Sequence, residues 1–239
     1  KNFRISSLNQ KISLLKKQSV DFIITKKFNK EFSKTKSIKF INQIICKKLN
    51  PKFIFVSNNF KFGNKREGNV SQLVQYESSN NYKIIKPQPL LINKKIVSSS
   101  LIRNFLKNGK LKKVNKFLNR KWSIEGRVQK GRQLGKKIGF PTANIDIKNY
   151  VLAKPGVYVV RTLRHNSTKY IRGIANLGYR PTFNGKKILL EVHLFNFSGN
   201  LYNKYLTVEF LNFIRKEKKF KNIDQLKKQI KVDLKIAKK

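Results

Sequence analysis

Cysteine, methionine and long apolar runs are all scarce or missing in this sequence. The one cysteine, Cys46, cannot form an internal disulfide, so we predict a packing role for it and a cytoplasmic, reducing location for the protein. No apolar run approaches the roughly 20 residues of a membrane-spanning helix, which predicts a protein without a membrane partner. Methionine is absent and the chain begins with Lys1, so we expect the native start to lie upstream.

Acidic residues are also few: there are 11, against 55 lysines and arginines, and the net charge is +44. Such a charge favours phosphate-rich partners, RNA among them. Lysine, however, is enriched together with asparagine and isoleucine throughout the chain, which indicates a compositional bias. We therefore expect no specific nucleic-acid partner, and we keep a basic RNA-binding β-barrel as an alternative. Hydrophobic residues at 39% and aromatic residues at 11% are typical of a folded protein.

The hydrophobic pattern divides the chain between residues 119 and 120. Residues 1–119 alternate apolar runs with helical patterns, which predicts a Rossmann-like parallel α/β sheet. From Trp122 onward the apolar residues recur at every second position, which predicts an antiparallel sheet or barrel. A C-terminal helix should follow, with Asn222 and Gln225 forming a capping box at its start. In the first part, strands are predicted at 20–28, 51–57 and 82–87, and helices at 35–49, 69–79, 99–109 and 110–118.

Residues 131–145 read GRQLGKKIGFPTANI and depart from the Lys/Asn/Ile background. Glycines permit tight turns and let backbone N–H groups approach a phosphate. The spacing is one residue short of a P-loop and no Ser or Thr follows the lysine, so glycines and lysines alone leave a phosphate loop and an ordinary turn both open. The candidate phosphate-binding residues are Gly131, Arg132, Gly135, Lys136, Lys137 and Gly139.

Thr142 and Asn144 strengthen the phosphate-loop interpretation. In an extended strand, residues two apart point to the same side, so a hydroxyl and an amide carbonyl would lie next to each other. Both are hard oxygen donors of the kind that Mg²⁺ and polyphosphates take. Pro141 fixes the backbone just before them.

Two carboxylates interrupt strongly apolar strands, Glu191 and Glu209. In the first of these strands, we predict that Leu190 faces the core, whereas Glu191 and His193 share the opposite face. Apolar residues frame this pair, which is typical of a ligand-binding face. A solvent-facing alternation remains the other interpretation. We interpret His193 as a hydrogen-bonding neighbour and not as a base or a metal ligand, since no second His or Cys has suitable spacing.

These motifs resemble the riboflavin kinase domain over about 120 residues, in order and in spacing. The resemblance rests on GRQLGKKIGFPTANI, PGVY (155–158), GIANLGYRPTF (173–183), LLEVHLFNF (189–197) and VEFLNFIRKEKKF (208–220). The preceding half is similar to the FMN adenylyltransferase module of the bacterial bifunctional riboflavin kinase/FAD synthetase, through NNFKFGNKREG (58–68) and VSSSLIRNFLKNG (97–109).

The resemblance implies a six-stranded Greek-key barrel that uses ATP and Mg²⁺ to convert riboflavin into FMN. Thr142 and Asn144 would bind ATP-Mg²⁺, the glycine loop would cover the phosphates, and Glu191 would be the base acting on the riboflavin 5′-hydroxyl. Arg180 would be structural or would contact the nucleotide, and His193 is a second candidate for a nucleotide or flavin contact.

For the first half, the resemblance implies a nucleotide-binding remnant. The family's HxGH-type motif is missing, because the two histidines, His165 and His193, both lie in the second half. FAD synthesis by this chain is therefore not expected, and a non-catalytic flavin-binding remnant is a further alternative to the kinase. The residues that match the adenylyltransferase signatures are Asn59, Ser99, Ser100 and Arg103.

Overall fold

The computed structural model describes residues 3–131, 133–147, 149–182 and 185–238. The chain forms two compact units, a larger one made of residues 1–21 together with 97–239, and a smaller one made of residues 22–96. Residues within each unit contact one another more than they contact the other unit. The domain division between residues 119 and 120 stays a prediction.

A short helix, α1 (Leu8–Lys16), opens the larger unit. It begins with a capping box, in which Ser7 Oγ accepts the Gln10 backbone N–H at 3.1 Å and Gln10 Oε1 accepts the Ser7 N–H at 2.8 Å. The sequence around Ser7 therefore fixes where this helix starts.

Short elements build the smaller unit around a core that includes Ile41, Leu73 and Tyr82. Strands β1 and β4 pair in parallel, with Ile54 opposite Ile84, as the α/β prediction requires. Its elements are α2 (Lys30–Ser33), α3 (Ser37–Lys39), a π-helical stretch (Phe40–Leu49), β1 (Phe53–Phe55), β2 (Lys61–Phe62), a 3-10 turn (Asn64–Arg66), β3 (Gly68–Asn69), α4 (Val70–Gln75), α5 (Glu77–Asn80), β4 (Lys83–Ile85), β5 (Leu91–Ile92) and β6 (Lys95–Ile96).

The predicted strand at residues 20–28 is wrong, since the backbone there forms neither a strand nor a helix. Phe22 is 88% exposed and Ile24 is 74% exposed. Apolar residues favour a strand only where a pleated, half-buried surface exists for them to join, and this segment has none.

In the larger unit, six antiparallel strands close into a barrel in the order β10-β11-β8-β7-β12-β9. Because β8 and β9 follow each other in sequence but not in the barrel, the topology is a Greek key, which confirms the predicted fold. The elements are α6 (Ser99–Lys107), α7 (Leu111–Leu118), β7 (Ser123–Gln129), α8 (Leu134–Lys137), β8 (Ala143–Asp146), β9 (Gly156–Arg164), β10 (Tyr170–Thr182), β11 (Gly185–Leu194), β12 (Tyr205–Arg215) and α9 (Ile223–Lys238).

The barrel interior is a packed core, so a ligand site can lie only on the outer face of the barrel. Trp122, Tyr158 and Phe210 are buried and their rings contact one another through Phe210, at centroid distances of 4.6 and 5.0 Å. On the outer face, helix α9 packs against β9 and β10, where Ile230 contacts the cluster that contains Val157. The site lies on the outer face beside α9, which supplies part of its lining.

Helix α9 begins with only half of the predicted capping box. Asn222 Oδ1 accepts the Gln225 N–H at 3.0 Å as predicted, but Gln225 Oε1 accepts the N–H of Lys221 at 3.3 Å, one residue earlier than the box requires. Within the described ranges, no helix is both long enough and apolar enough to cross a bilayer.

Candidate active site

Four polar side chains form one row across neighbouring strands of the barrel. In the strand register, Glu191 of β11 lies between Asn176 of β10 and Asn144 of β8, and Asn144 in turn lies opposite Gln129 of β7. Directly opposed residues of antiparallel strands point to the same face of the sheet, with Cβ atoms about 4.5–5.5 Å apart. We call Gln129, Asn144, Glu191 and Asn176 the polar row.

The neighbouring positions of these strands are apolar and point inward. Ile145 and Leu190 pair with each other, Leu177 pairs with Leu190, and all of them are fully buried. Alternation along each strand therefore forces the polar row onto the outer face of the barrel. The sequence-based prediction that Leu190 and Glu191 face opposite ways is confirmed.

The polar row lines one side of a cavity of about 710 Å³. This volume is within the range of small-molecule sites. The other side is an apolar wall, which we define as Val157, Ile174, Leu226 and Ile230, from β9, β10 and α9. One end of the cavity can thus hold a flat apolar group while the other offers amides and a carboxylate.

Two glycines bring the loop before β8 against the oxygen donors of that strand. A Cβ at Gly131 would collide with the side-chain amide of Asn144. A Cβ at Gly135 would collide with the carbonyl oxygen of Phe140 and lie 3.3 Å from Thr142 Oγ1. Both glycines, together with Thr142 and Asn144, line the cavity. Gly135 is needed because the backbone of Phe140 lies too close for a side chain, and a side chain at Gly131 would displace the Asn144 amide.

The remaining loop residues have more distant positions. Gly139 adopts a φ of 89°, a left-handed conformation that favours glycine, and thereby turns the chain toward Pro141. Lys136 is exposed in the short α8 and does not line the cavity. Arg132 lies outside the described residues.

His193 supports the strand that carries the oxygen donors. Its Nδ1–H donates to the carbonyl oxygen of Pro141 at 2.8 Å, which fixes the tautomer, and its ring lies edge-on to Phe140 with centroids 5.8 Å apart. These contacts hold β8 and the glycine loop against β11. His193 therefore forms a hydrogen bond next to Glu191, and its role in the site stays a prediction.

The structure places the two strand carboxylates, Glu191 and Glu209, in different surroundings. Glu209 of β12 accepts a hydrogen bond from Arg161 Nε at 2.6 Å and another from Tyr170 Oη at 3.0 Å, and it does not line the cavity. The Arg161 guanidinium also stacks 4.2 Å from the centre of the Tyr170 ring. Glu209 has a structural environment, whereas Glu191 faces the cavity.

Sequence analysis missed a buried ion pair at the apolar end of the cavity. Asp233 of α9 is 1% exposed and receives hydrogen bonds from Arg215 at 2.7 to 3.1 Å and from Gln229 Nε2 at 3.1 Å. Arg215 and Asp233 both line the cavity. Their spacing in sequence carries no signal, because they meet only after α9 docks on the barrel.

Two features predicted from the sequence lie partly or wholly outside the described residues. The side chain of Arg180 lies outside the described part of the chain, although its backbone pairs with that of Lys187. Asn184, half of a predicted turn signal, is also outside it.

The adenylyltransferase matches lie in different compact units. In the smaller unit, Asn59 Oδ1 accepts a hydrogen bond from Ser57 Oγ at 2.9 Å. In the larger unit, Ser99 and Ser100 open helix α6, and Arg103 Nε donates to the carbonyl oxygen of Phe3 at 2.8 Å. The Arg103 side chain thus already has a structural partner.

Comparison with known proteins agrees with this architecture. The riboflavin kinase family model matches residues 118–239 and the FAD synthetase family model matches residues 1–101, which together define a flavin-nucleotide-forming class of enzyme. A bifunctional riboflavin kinase/FMN adenylyltransferase of Buchnera aphidicola (subspecies Schizaphis graminum) is 41% identical over 99% of this chain and 76% of its own length. The Haemophilus influenzae protein of the same name is 40% identical over 98% and 76%. The chain belongs to the family of bifunctional riboflavin kinase/FMN adenylyltransferases.

A solved structure shares the whole fold. A Streptococcus pneumoniae protein, described as a macrolide-efflux protein, matches with a TM-score of 0.83 at 28% identity, over 98% of this chain and 75% of that one. The efflux description is of the pneumococcal protein alone. What the two chains share is their fold.

Proposed function

We propose that this chain transfers the γ-phosphate of ATP to the 5′-hydroxyl of riboflavin and so makes FMN, with Glu191 as the base. The observation that carries the proposal is the position of Glu191, between Asn144 and Asn176 in a cavity beside the glycine loop. Membership of the riboflavin kinase family supports the same reaction.

In the proposed step, the riboflavin 5′-oxygen forms a bond with the γ-phosphorus while the bond from that phosphorus to the β,γ-bridging oxygen breaks. The hydroxyl proton passes to the Glu191 carboxylate, and ADP leaves. Catalysis of this kind depends mainly on positioning and on neutralising the phosphate charge. The glycine loop supports positioning, since Gly131 and Gly135 let backbone N–H groups approach the phosphates closely.

Magnesium suits the donor set on β8. Thr142 and Asn144 each offer a neutral oxygen, and no group of three or more His, Cys, Asp or Glu side chains in the described ranges could hold a metal ion by itself. A magnesium ion would therefore take most of its ligands from the ATP phosphates and water. When bound, it would neutralise charge on the β- and γ-phosphates. Thr142 and Asn144 would orient that complex beside Glu191.

The apolar wall fits the flat ring of riboflavin. With the ring against Val157, Ile174 and Ile230, the sugar-alcohol chain would extend toward the polar row and end at Glu191. The aromatic residues Trp122, Tyr158 and Phe210 are buried in the barrel and cannot stack on RNA bases, whereas Tyr170, Tyr179 and Tyr205 are exposed on its strands, so a basic RNA-binding barrel stays the alternative.

We further infer that residues 120–239 form the kinase domain, that residues 1–119 are a partial adenylyltransferase domain, and that the protein acts in the cytoplasm. FAD synthesis is not expected of this chain, because its two histidines, His165 and His193, both lie in the barrel domain and neither can supply the family's HxGH-type motif.

The testing experiment incubates the chain with riboflavin, ATP and Mg²⁺ and resolves FMN from FAD by chromatography with fluorescence detection. FMN alone is the expected product. FAD would show that the adenylyltransferase part works without the histidine motif. Riboflavin binding without FMN would contradict the kinase and favour a flavin-binding remnant.

A further inference from the structure

Asn176 occupies a position in the site that the recognised motifs leave without a role. On one side it lies opposite Glu191 of β11, and on the other side it lies opposite Val157 of β9. It is therefore the one member of the polar row that borders the apolar wall. Asn144, by contrast, borders Glu191 and Gln129, and adjoins the glycine loop.

The neighbours of Asn176 on the outer face are apolar on one side, where Val157 lies, and polar on the other, where Glu191 lies. Ile174, two positions earlier on the same face of β10, belongs with Val157 to the cluster that packs under α9. A side-chain amide at such a position costs free energy unless its N–H and C=O groups find hydrogen-bond partners. A ligand that crosses from the apolar wall to Glu191 would supply those partners.

The length of the polyol chain fits this path. Neighbouring strands are about 4.8 Å apart, so Val157 and Glu191, which lie on either side of β10, are about 9.6 Å apart, and an extended five-carbon chain with its ring nitrogen and terminal oxygen spans most of that distance. A chain that starts from a ring on Val157 and ends with its terminal hydroxyl at Glu191 must therefore pass over Asn176. Its internal hydroxyl groups would lie within reach of the Asn176 amide, which both donates and accepts hydrogen bonds.

We propose that Asn176 hydrogen-bonds an internal hydroxyl of the substrate's sugar-alcohol chain, and that it thereby selects flavins with hydroxylated chains and positions the terminal hydroxyl at Glu191. This inference rests on the proposed function, since it assumes that riboflavin occupies the cavity. A site built to hydrogen-bond a hydroxyl discriminates strongly against an analogue that lacks it, because the amide is then left unpaired.

The test pairs enzyme variants with two substrates. The first is riboflavin and the second is a flavin carrying a 5-hydroxypentyl chain on the same ring nitrogen, which keeps the terminal hydroxyl and lacks the internal ones. The expected result is that Asn176→Ala lowers kcat/KM for riboflavin by about tenfold or more, the value of one good hydrogen bond, and leaves kcat/KM for the pentyl flavin nearly unchanged. Asn176→Ser, which keeps a hydroxyl, should recover part of the loss with riboflavin.

Asn212→Ala is the matched control, because Asn212 lies on barrel strand β12, is exposed and does not line the cavity. It should leave both substrates unaffected. Equal losses with both substrates in the Ala and Ser variants would overturn the inference, since they would mean that Asn176 acts on Glu191 or on the fold. An unmodified chain that phosphorylates neither flavin would instead overturn the proposed function, and the inference with it.

Discussion

The barrel and the smaller unit have similar lysine-rich sequences but very different sheets. In the barrel, each of the six strands pairs with two neighbours, so no edge is left open. The described strands of residues 22–96 form three two-stranded sheets. In strand β1, Phe53 is 58% exposed and Phe55 is 66% exposed. Strand closure, and not composition, separates the well-packed part of the chain from the poorly covered part.

This difference explains where function can be expected. A closed barrel holds its outward side chains at fixed register, so Glu191 and its neighbours keep their spacing even though they face a cavity. The smaller unit has a small core around Leu73 and Ile41, with exposed apolar residues beside it. We therefore expect the kinase chemistry to depend on the barrel and to tolerate damage to the smaller unit.

The largest effect is expected from Glu191→Gln, which removes the proposed base and changes few atoms. The kcat for FMN formation should fall by about 10²–10⁴-fold. Glu209→Gln makes the same chemical change on another barrel strand, where the carboxylate pairs with Arg161, and it should leave kcat unchanged. Steady-state FMN assays of both variants are sufficient, and full turnover by Glu191→Gln would refute the base assignment.

Asp233→Ala should give the largest loss of stability, because it leaves the Arg215 guanidinium without its buried partner. Removing one member of a buried ion pair costs about 3–5 kcal/mol. Asp224→Ala changes the same charge at an exposed position of α9 and should cost about 1 kcal/mol or less. Urea unfolding followed by fluorescence of Trp122, the only tryptophan and a buried barrel residue, measures both. Similar losses of stability in the two variants would show that the Arg215–Asp233 pair does not stabilise the fold.

Matched core truncations should separate the two units. Leu206→Ala in the barrel and Leu73→Ala in the smaller unit both remove a fully buried side chain, at a cost of about 2–5 kcal/mol each. Because Trp122 lies in the barrel, the first variant should shift the fluorescence transition, whereas the second should shift only a transition seen by far-ultraviolet circular dichroism. Leu73→Ala should also retain FMN formation. A Trp122 transition that moves equally in both would show that the units unfold together.

The sequence predicted the strands correctly where apolar and polar residues alternate and one face is buried. Alternating residues such as Leu190 and Glu191 predicted the barrel strands, since one face must enter the core. The same apolar content gave a wrong prediction at residues 20–28, which join none of the described sheets. Local pattern predicts a strand only when the rest of the fold supplies its partner.

Some residues that line the candidate site could be named from the sequence, but their arrangement could not. Thr142, Asn144 and Glu191 were identified from motif and strand face, whereas the opposition of Asn176 to Glu191 depends on strand register, which the sequence leaves open. Glu191 and Glu209 both interrupt apolar strands, and only the strand register shows that Arg161 lies directly opposite Glu209. Pairing partners between distant strands are set by tertiary structure alone.

The smallest effect is expected from Gln10→Ala, which tests whether the first residues belong to the barrel. Gln10 Nε2 donates to Ser123 Oγ at 2.9 Å, and Gln10 Oε1 accepts from Tyr150 Oη at 3.0 Å. Nearby, Trp122 Nε1 donates to the carbonyl oxygen of Ile5 at 2.9 Å. Removal of the Gln10 amide leaves buried partners unpaired, so the Trp122 transition should lose about 1–3 kcal/mol.

Asn9→Ala on the same helix is exposed and should change the Trp122 transition little. If Gln10→Ala also leaves that transition in place, the hydrogen bonds of Gln10 contribute nothing to barrel stability. If it shifts the transition as expected, a segment matched by the FAD synthetase family model stabilises the kinase barrel. The barrel unit would then include residues from both ends of the chain, and only residues 22–96 would stand apart from it.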